Sequence, residues 1–196
     1  MLLLKSLRQE IVDHGVRLVE FGLVKGRAGN ISALDAESGY LAISPSRMYY
    51  NRISPKDIVI LDKDGNIIDG KQKPSSEFNS HLAIYQQRFD VHSIIHTHSP
   101  SAIAFSLIGK EVDLSAFSEN LVEQKTIPIV PKALPGTNEL ANHLRLVFQN
   151  PKINVCLISG HGVFVVGSTV SIALARACFV EEALQALIFS KILQLQ

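Results

Sequence analysis

The stretch His92-Ser93-Ile94-Ile95-His96-Thr97-His98-Ser99 limits the fold more than any other part of the chain. A short apolar, β-branched run favours a strand, and the side chains of a strand alternate between its two faces. His96 and His98 are therefore expected to project side by side at the end of one strand. Two imidazoles on one face make an incomplete metal site, because a catalytic zinc takes three protein ligands and leaves a fourth position open. The fold has to carry a third ligand to that strand end. His92 alternates onto the same face but lies lower on the strand, and is read as a structural or surface residue.

The apolar run Ile153 to Ile158, with Cys156 inside it, reads as a buried strand and ends in Ser159-Gly160-His161-Gly162. A histidine between two glycines just past a strand leaves room for close approach of a metal or ligand. His161 is accordingly the predicted third ligand. His143 lies inside a helix that Thr137 caps and that runs to about Phe148, and is read as a surface histidine.

Around these anchors the pattern predicts a helix from about Leu4 to Phe21, then strands at Ile31–Leu34, Tyr40–Ile43 and Ile58–Leu61. Asp64-Gly65-Asn66 predicts a turn into a return strand at Ile67-Ile68. Two loops have two readings each. Gly26-Arg27-Ala28-Gly29-Asn30 is either a plain turn or a loop whose backbone amides, with the Asn30 side chain, approach an anion. Ser44-Pro45-Ser46-Arg47 is either a Ser-Pro turn or a phosphate loop. Pro74-Ser75-Ser76-Glu77 is expected to open a helix reaching about Gln87. There the serines act as caps or as phosphate donors at the positive helix end, and Glu77 sits in the first turn. A helix from Pro100 to Leu107, a strand at Ile127–Val130, a strand at Val163–Val166 and a long final helix capped by Ser168 or Thr169 complete the pattern. The segment Glu111 to Thr126 resists assignment. The final helix is apolar over much of its circumference, which fits cover from more than one side, including a subunit contact.

The totals agree with one globular domain over 1–196: the hydrophobic share is 46% and the charged share 19%. A formal net charge of +1 lacks the basic excess of a nucleic-acid binder. Cys156 and Cys178 lack the spacing of a cysteine zinc motif and read as two buried free thiols in a reducing cytoplasm. Lys5 and Arg8 cut short the apolar start Met1-Leu2-Leu3-Leu4, and no stretch is long and uncharged enough to span a bilayer. A soluble, cytoplasmic protein without a membrane partner is expected.

Strands and helices alternate loosely, with hairpins early, so the predicted fold is α/β with a mixed, largely antiparallel sheet flanked by helices. Five motifs then stand in one order and spacing: Gly26-Arg27-Ala28-Gly29-Asn30-Ile31-Ser32, Ile43-Ser44-Pro45-Ser46, Pro74-Ser75-Ser76-Glu77, His96-Thr97-His98 and Gly160-His161-Gly162. Together they resemble the class II aldolase/adducin family, most closely its fuculose-1-phosphate aldolase branch, over almost the whole chain.

The resemblance implies a three-layer domain with zinc, or another divalent metal, on His96, His98 and His161. It implies that Glu77 is the acid/base and also ligates the metal when substrate is absent. It implies a phosphate site on Asn30, Ser75 and Ser76, with the loop at Ser46 and the backbone at Gly29. The implied substrate is a phosphorylated sugar, a ketose 1-phosphate cleaved to dihydroxyacetone phosphate and an aldehyde. The implied assembly is a homotetramer with active sites at subunit interfaces. Arg47 departs from the pattern, since glycine usually follows the Ser or Thr of that loop, and the aldolase tyrosine near mid-chain has no counterpart in Glu111 to Thr126. The family's 4-epimerases share the histidines but carry Asp at the place of Glu77. Its dehydratases use a carboxylate near the place of Glu119, and adducin-type structural modules have lost the metal histidines.

Overall fold

The β-branched run that carries the paired histidines lies in the middle of an eight-stranded sheet. The computed structural model describes residues 2–118 and 121–195. In chain order its elements are α1 (Lys5–Glu20), β1 (Asn30–Leu34), β2 (Leu41–Ile43), β3 (Val59–Leu61), β4 (Ile67–Asp69), α2 (Phe78–Tyr85), β5 (Ser93–Thr97), α3 (Pro100–Ser106), β6 (Val112–Asp113), β7 (Thr126–Ile127), β8 (Ile129–Val130), α4 (Asn138–Phe148), β9 (Val155–Ile158), β10 (Gly162–Gly167) and α5 (Val170–Leu193). The sheet order is β4-β3-β2-β1-β5-β10-β9-β8. Its pairings are antiparallel except for β8 with β9. The expected mixed, largely antiparallel sheet flanked by helices is the fold observed.

Strand parity sorts the core into two layers. Ile31, Ala33, Ile95, Val163 and Val165 pack with α1, α3 and α5 on one face. Ile94, Phe164 and Val166 pack with α2 and α4 on the other. His96 is two residues from Ile94, so it shares the α2 side; Asn30 and Ser32 alternate with Ile31 and Ala33 and face the same way. The register completes the placement, since Asn30 lies opposite His96 on one side of β5 and Phe164 lies opposite it on the other.

Gly162 lets β10 close on β5. A Cβ there would sit 2.2 Å from the Thr97 carbonyl oxygen and 3.3 Å from the His96 ring. We expect Gly162→Ala to cost about 1–3 kcal/mol through forced separation of the two strands, seen as a lowered melting temperature.

The structure departs from the sequence expectations at several places. Helix α2 starts at Phe78 and ends at Tyr85, later and earlier than the pattern suggests. The chain before it is still extended, because Pro45 and Pro74 form a β-bridge and the Ser75 amide donates to the Ser44 carbonyl at 3.0 Å. Neither Ser75 nor Ser76 caps the helix, and Glu77 occupies the N-cap position rather than the first turn. The run Ile127–Val130 is broken at Pro128 into β7 and β8, which belong to different sheets. Proline has no N–H for a ladder, and the Pro128 carbonyl instead accepts from the Leu157 amide at 2.9 Å. The unassigned segment forms β6, a turn and the approach to β7; Glu119 lies outside the described residues. Both cysteines are free, but Cys178 is only half-buried. Thr137 and Thr169 cap α4 and α5 as expected, through bonds from Leu140 at 3.3 Å and Ile172 at 3.2 Å. One face of helix α5 is buried through Leu184, while Phe189, Ile192 and Leu193 near its end are exposed. Among the described residues no helix is long and apolar enough to cross a membrane.

Candidate active site

Three imidazoles meet where β5 ends and β10 begins. The ring centroids of His96, His98 and His161 stand 4.8, 4.8 and 4.7 Å apart, nearly an equilateral triangle. Glu77 closes the group from the start of α2, and one ligand atom from each of the four residues lies within 4.8 Å of every other. His92 and His143 are outside the cluster, as expected.

The cluster makes few hydrogen bonds of its own. His96 Nδ1 donates to the Val163 carbonyl at 2.9 Å, which leaves Nε2 with a bare lone pair. That lone pair faces His98 Nε2 at 2.9 Å and Glu77 Oε2 at 3.3 Å. Both ring nitrogens of His161 and Glu77 Oε1 are buried without a partner. Burial, and then the neighbouring His98, push the His96 pKa down to about 3; burial and the other imidazoles take His161 to about 4. Burial also lowers His98, against the pull of Glu77. Close approach of neutral imidazoles to the carboxylate is therefore not ion pairing. Three imidazoles and a carboxylate converging at this spacing fit a divalent cation, and a ligand histidine whose other N–H is tied to a carbonyl is the usual support for one. His96, His98, His161 and Glu77 are the residues that can hold a metal here.

Glu77 is 5% exposed, and burial raises its pKa, opposed by His161, by the Asn30 hydrogen bond and by His98. Asn30 Nδ2 donates to Glu77 Oε2 at 2.8 Å. Asn30 Oδ1 accepts from His81 Nε2 at 2.5 Å, and His81 Nδ1 then accepts from Ser32 Oγ at 2.7 Å. Ser32 in turn pairs with the Tyr85 hydroxyl at 2.8 Å. The chain has one direction: each group donates toward Glu77, and an acceptor-only carboxylate ends it. His81, Ser32 and Tyr85 were not singled out in the sequence. The signal was present: Glu77, His81 and Tyr85 recur at a spacing of four, one helical face, and Asn30 and Ser32 at a spacing of two, one strand face.

The predicted phosphate residues share one cleft of about 170 Å³ with Glu77, His98 and His161; Gly29, Asn30, Ser46, Ser75 and Ser76 all line it. Gly29 has a left-handed backbone (φ +74°), and a Cβ there would meet the His96 carbonyl oxygen at 2.6 Å, so the glycine loop lies directly on the histidine strand. Much of the expected donor set is engaged internally. The Ser46 and Ser75 amides bond the Lys73 and Ser44 carbonyls, and the Ser75 hydroxyl accepts from the Glu77 amide at 3.3 Å. The Ser46 and Ser76 hydroxyls and the second amide hydrogen of Asn30 remain for a ligand.

Comparison with known proteins adds the lineage. Residues 9–188 match the model of the class II aldolase and adducin N-terminal domain. A 5-deoxy-D-ribulose 1-phosphate aldolase of Bacillus thuringiensis is 45% identical over 111 residues, 57% of this chain and 52% of that protein. The matched stretch thus spans about half of that relative. A 5-methylthioribulose-1-phosphate/5-deoxyribulose-1-phosphate aldolase of Rhodospirillum rubrum is 32% identical over 177 residues, 90% of this chain and 78% of the relative. A solved L-fuculose 1-phosphate aldolase superposes with a TM-score of 0.91 at 30% identity, covering 96% of this chain and 87% of its own. With a carboxylate and three imidazoles gathered at the end of the histidine strand and the family model matched over nearly all its length, the chain belongs to the class II aldolase and adducin N-terminal domain family.

Proposed function

We propose that the protein is a zinc-dependent aldolase that cleaves a ketose 1-phosphate to dihydroxyacetone phosphate and an aldehyde. The observation that carries this reading is the placement of Glu77, a buried carboxylate within 4.8 Å of three imidazole nitrogens on one side and beside a serine-lined cleft on the other. A structural module of the adducin type has no use for such a cluster. The relatives named for 5-deoxyribulose 1-phosphate favour a 5-deoxypentulose 1-phosphate over the fuculose 1-phosphate of the wider resemblance. The aldehyde would then be acetaldehyde.

In that reading the phosphate lies against Ser46, Ser75, Ser76 and Asn30, and the sugar chain runs from there toward His98 and His161. The C4 hydroxyl gives up its proton to solvent water as the bond between C3 and C4 breaks, C4 leaves as the aldehyde, and the electron pair stays on C3, conjugated with the C2 carbonyl. Zinc held by His96, His98 and His161 supplies Lewis-acid stabilisation of the negative charge that develops on the substrate oxygens. Glu77 delivers the proton that C3 needs to become dihydroxyacetone phosphate. A carboxyl raised by burial suits the task, because its proton is held closer to neutral pH than that of an exposed glutamate. Asn30 holds the carboxylate in place through Oε2, so the proton moves at Oε1, the oxygen without a hydrogen-bond partner.

The test is release of dihydroxyacetone phosphate from a panel of ketose 1-phosphates that includes 5-deoxyribulose 1-phosphate. The expected result is release from at least one, abolished by chelation and restored by zinc. A metal-loaded protein that releases none, or that returns an epimerised or dehydrated sugar phosphate, would overturn the aldolase reading.

A further inference from the structure

We infer that Arg47 is the residue that grips the substrate's phosphate dianion, with Arg27 as a second cation at the same cleft. This rests on the phosphoester reading of the cleft given above and extends it to a residue that the family pattern does not supply. Three observations carry it. Arg47 lines the cleft together with Ser46, Ser75 and Ser76. Its backbone is left-handed, with φ 59°, a conformation that suits the glycine usual at this position and strains any side chain with a Cβ. A strained backbone at a ligand cleft points to a job for the side chain. Finally, among the described residues the Arg47 guanidinium has no ion pair or hydrogen bond. Arg8, Arg88 and Arg176 by contrast are committed to Asp69, Asp90 and Glu123.

The charge requirement points the same way. The Ser46 and Ser75 amides are spent on the Lys73 and Ser44 carbonyls. The other donors at the cleft, among them the Ser46 and Ser76 hydroxyls, are neutral, and the Glu77 carboxylate beside them repels an anion. A phosphomonoester dianion placed there needs positive charge, and among the described residues lining the cleft the charged cations are Arg47 and Arg27. The two differ in restraint. Arg27 stacks over the Tyr49 ring, 5.7 Å from its centroid, and so is held at the rim. Arg47 has no such anchor and is free to fold over the phosphate, where its planar fork matches two phosphate oxygens.

The test compares wild type with Arg47→Gly and Arg47→Lys, using inorganic phosphate as the probe in calorimetric titrations at low and high salt. Glycine relieves the backbone strain, so its melting temperature should equal or exceed that of wild type, and a loss of binding cannot be ascribed to misfolding. Phosphate affinity should fall about ten- to hundredfold in Arg47→Gly, with partial recovery in Arg47→Lys and a weaker salt dependence in the glycine variant. In turnover of any accepted ketose 1-phosphate, KM should rise by a similar factor with little change in kcat. Wild type that binds phosphate no better than Arg47→Gly overturns the role of Arg47 and leaves the phosphoester reading standing. Wild type that binds no phosphate overturns both.

Discussion

Glu77→Gln is expected to lower turnover about 10²- to 10⁴-fold while the protein retains its metal, the range typical for loss of a positioned general acid or base. The substitution conserves shape. The glutamine carbonyl can accept the Asn30 Nδ2 hydrogen bond at the position of Oε2, 2.8 Å away, and three imidazoles remain for the metal. What is lost is a group able to carry a proton at the atom that lies buried and unpartnered beside the histidines. The measurement pairs steady-state kinetics with metal content by mass spectrometry. A large fall in kcat at unchanged metal occupancy supports the proton-transfer role. Unchanged turnover would remove Glu77 from the chemistry, and loss of both metal and activity would make it chiefly a ligand.

Much of this site was legible in the sequence for one physical reason: its parts are local. His96 and His98 need only strand alternation, and His161 needs only the flexible glycine frame at the mouth of a strand. The hydrophobic runs of β5, β9 and β10 are buried on both faces, which is why they read as near-continuous apolar stretches. What stayed hidden depends on contacts between segments far apart in the chain. The start of α2 could not be set by its serines, because a bridge between Pro45 and Pro74 holds that stretch extended. The break at Pro128 follows from which strand each flank joins. The role of Asn30 is the sharpest case. Its sequence neighbours suggest an anion-binding loop, but both ends of its amide are bound at α2, to the N-cap Glu77 and to His81, 47 and 51 positions away. A polar residue on a strand was visible; that a histidine from another element would fix the amide's orientation was not.

That orientation is the basis of the second large effect. His81→Leu is expected to lower kcat about 10- to 100-fold with little change in KM, and His81→Gln to restore most of it. An asparagine can present either end of its amide, and with Oδ1 turned toward Glu77 two acceptors would face each other. His81 prevents this, because its Nε2–H meets Oδ1 and holds Nδ2 on the carboxylate. The tautomer of His81 is set in turn by Ser32, whose hydroxyl occupies Nδ1. Leucine leaves Oδ1 buried without its donor and Ser32 with Tyr85 alone, a cost of about 1–3 kcal/mol in stability, and frees the carboxylate to drift. Misplacement of a reacting group by about 1 Å can by itself cost ~10²-fold in rate. Glutamine offers an N–H and a carbonyl in place of the two ring nitrogens and can rebuild the chain. A second readout separates positioning from simple stability. Burial holds the His81 pKa near 3, so the unfolded chain takes up a proton below the ordinary value of 6.5 that the folded protein refuses. Stability from this source is present above pH 6.5 and is lost as the pH falls toward 3, and His81→Gln should lack that part of the acid loss. Wild-type kcat in His81→Leu would mean that Asn30 holds Glu77 without help. An equal kcat deficit in Leu and Gln variants would mean that the imidazole matters for something other than the two hydrogen bonds it makes.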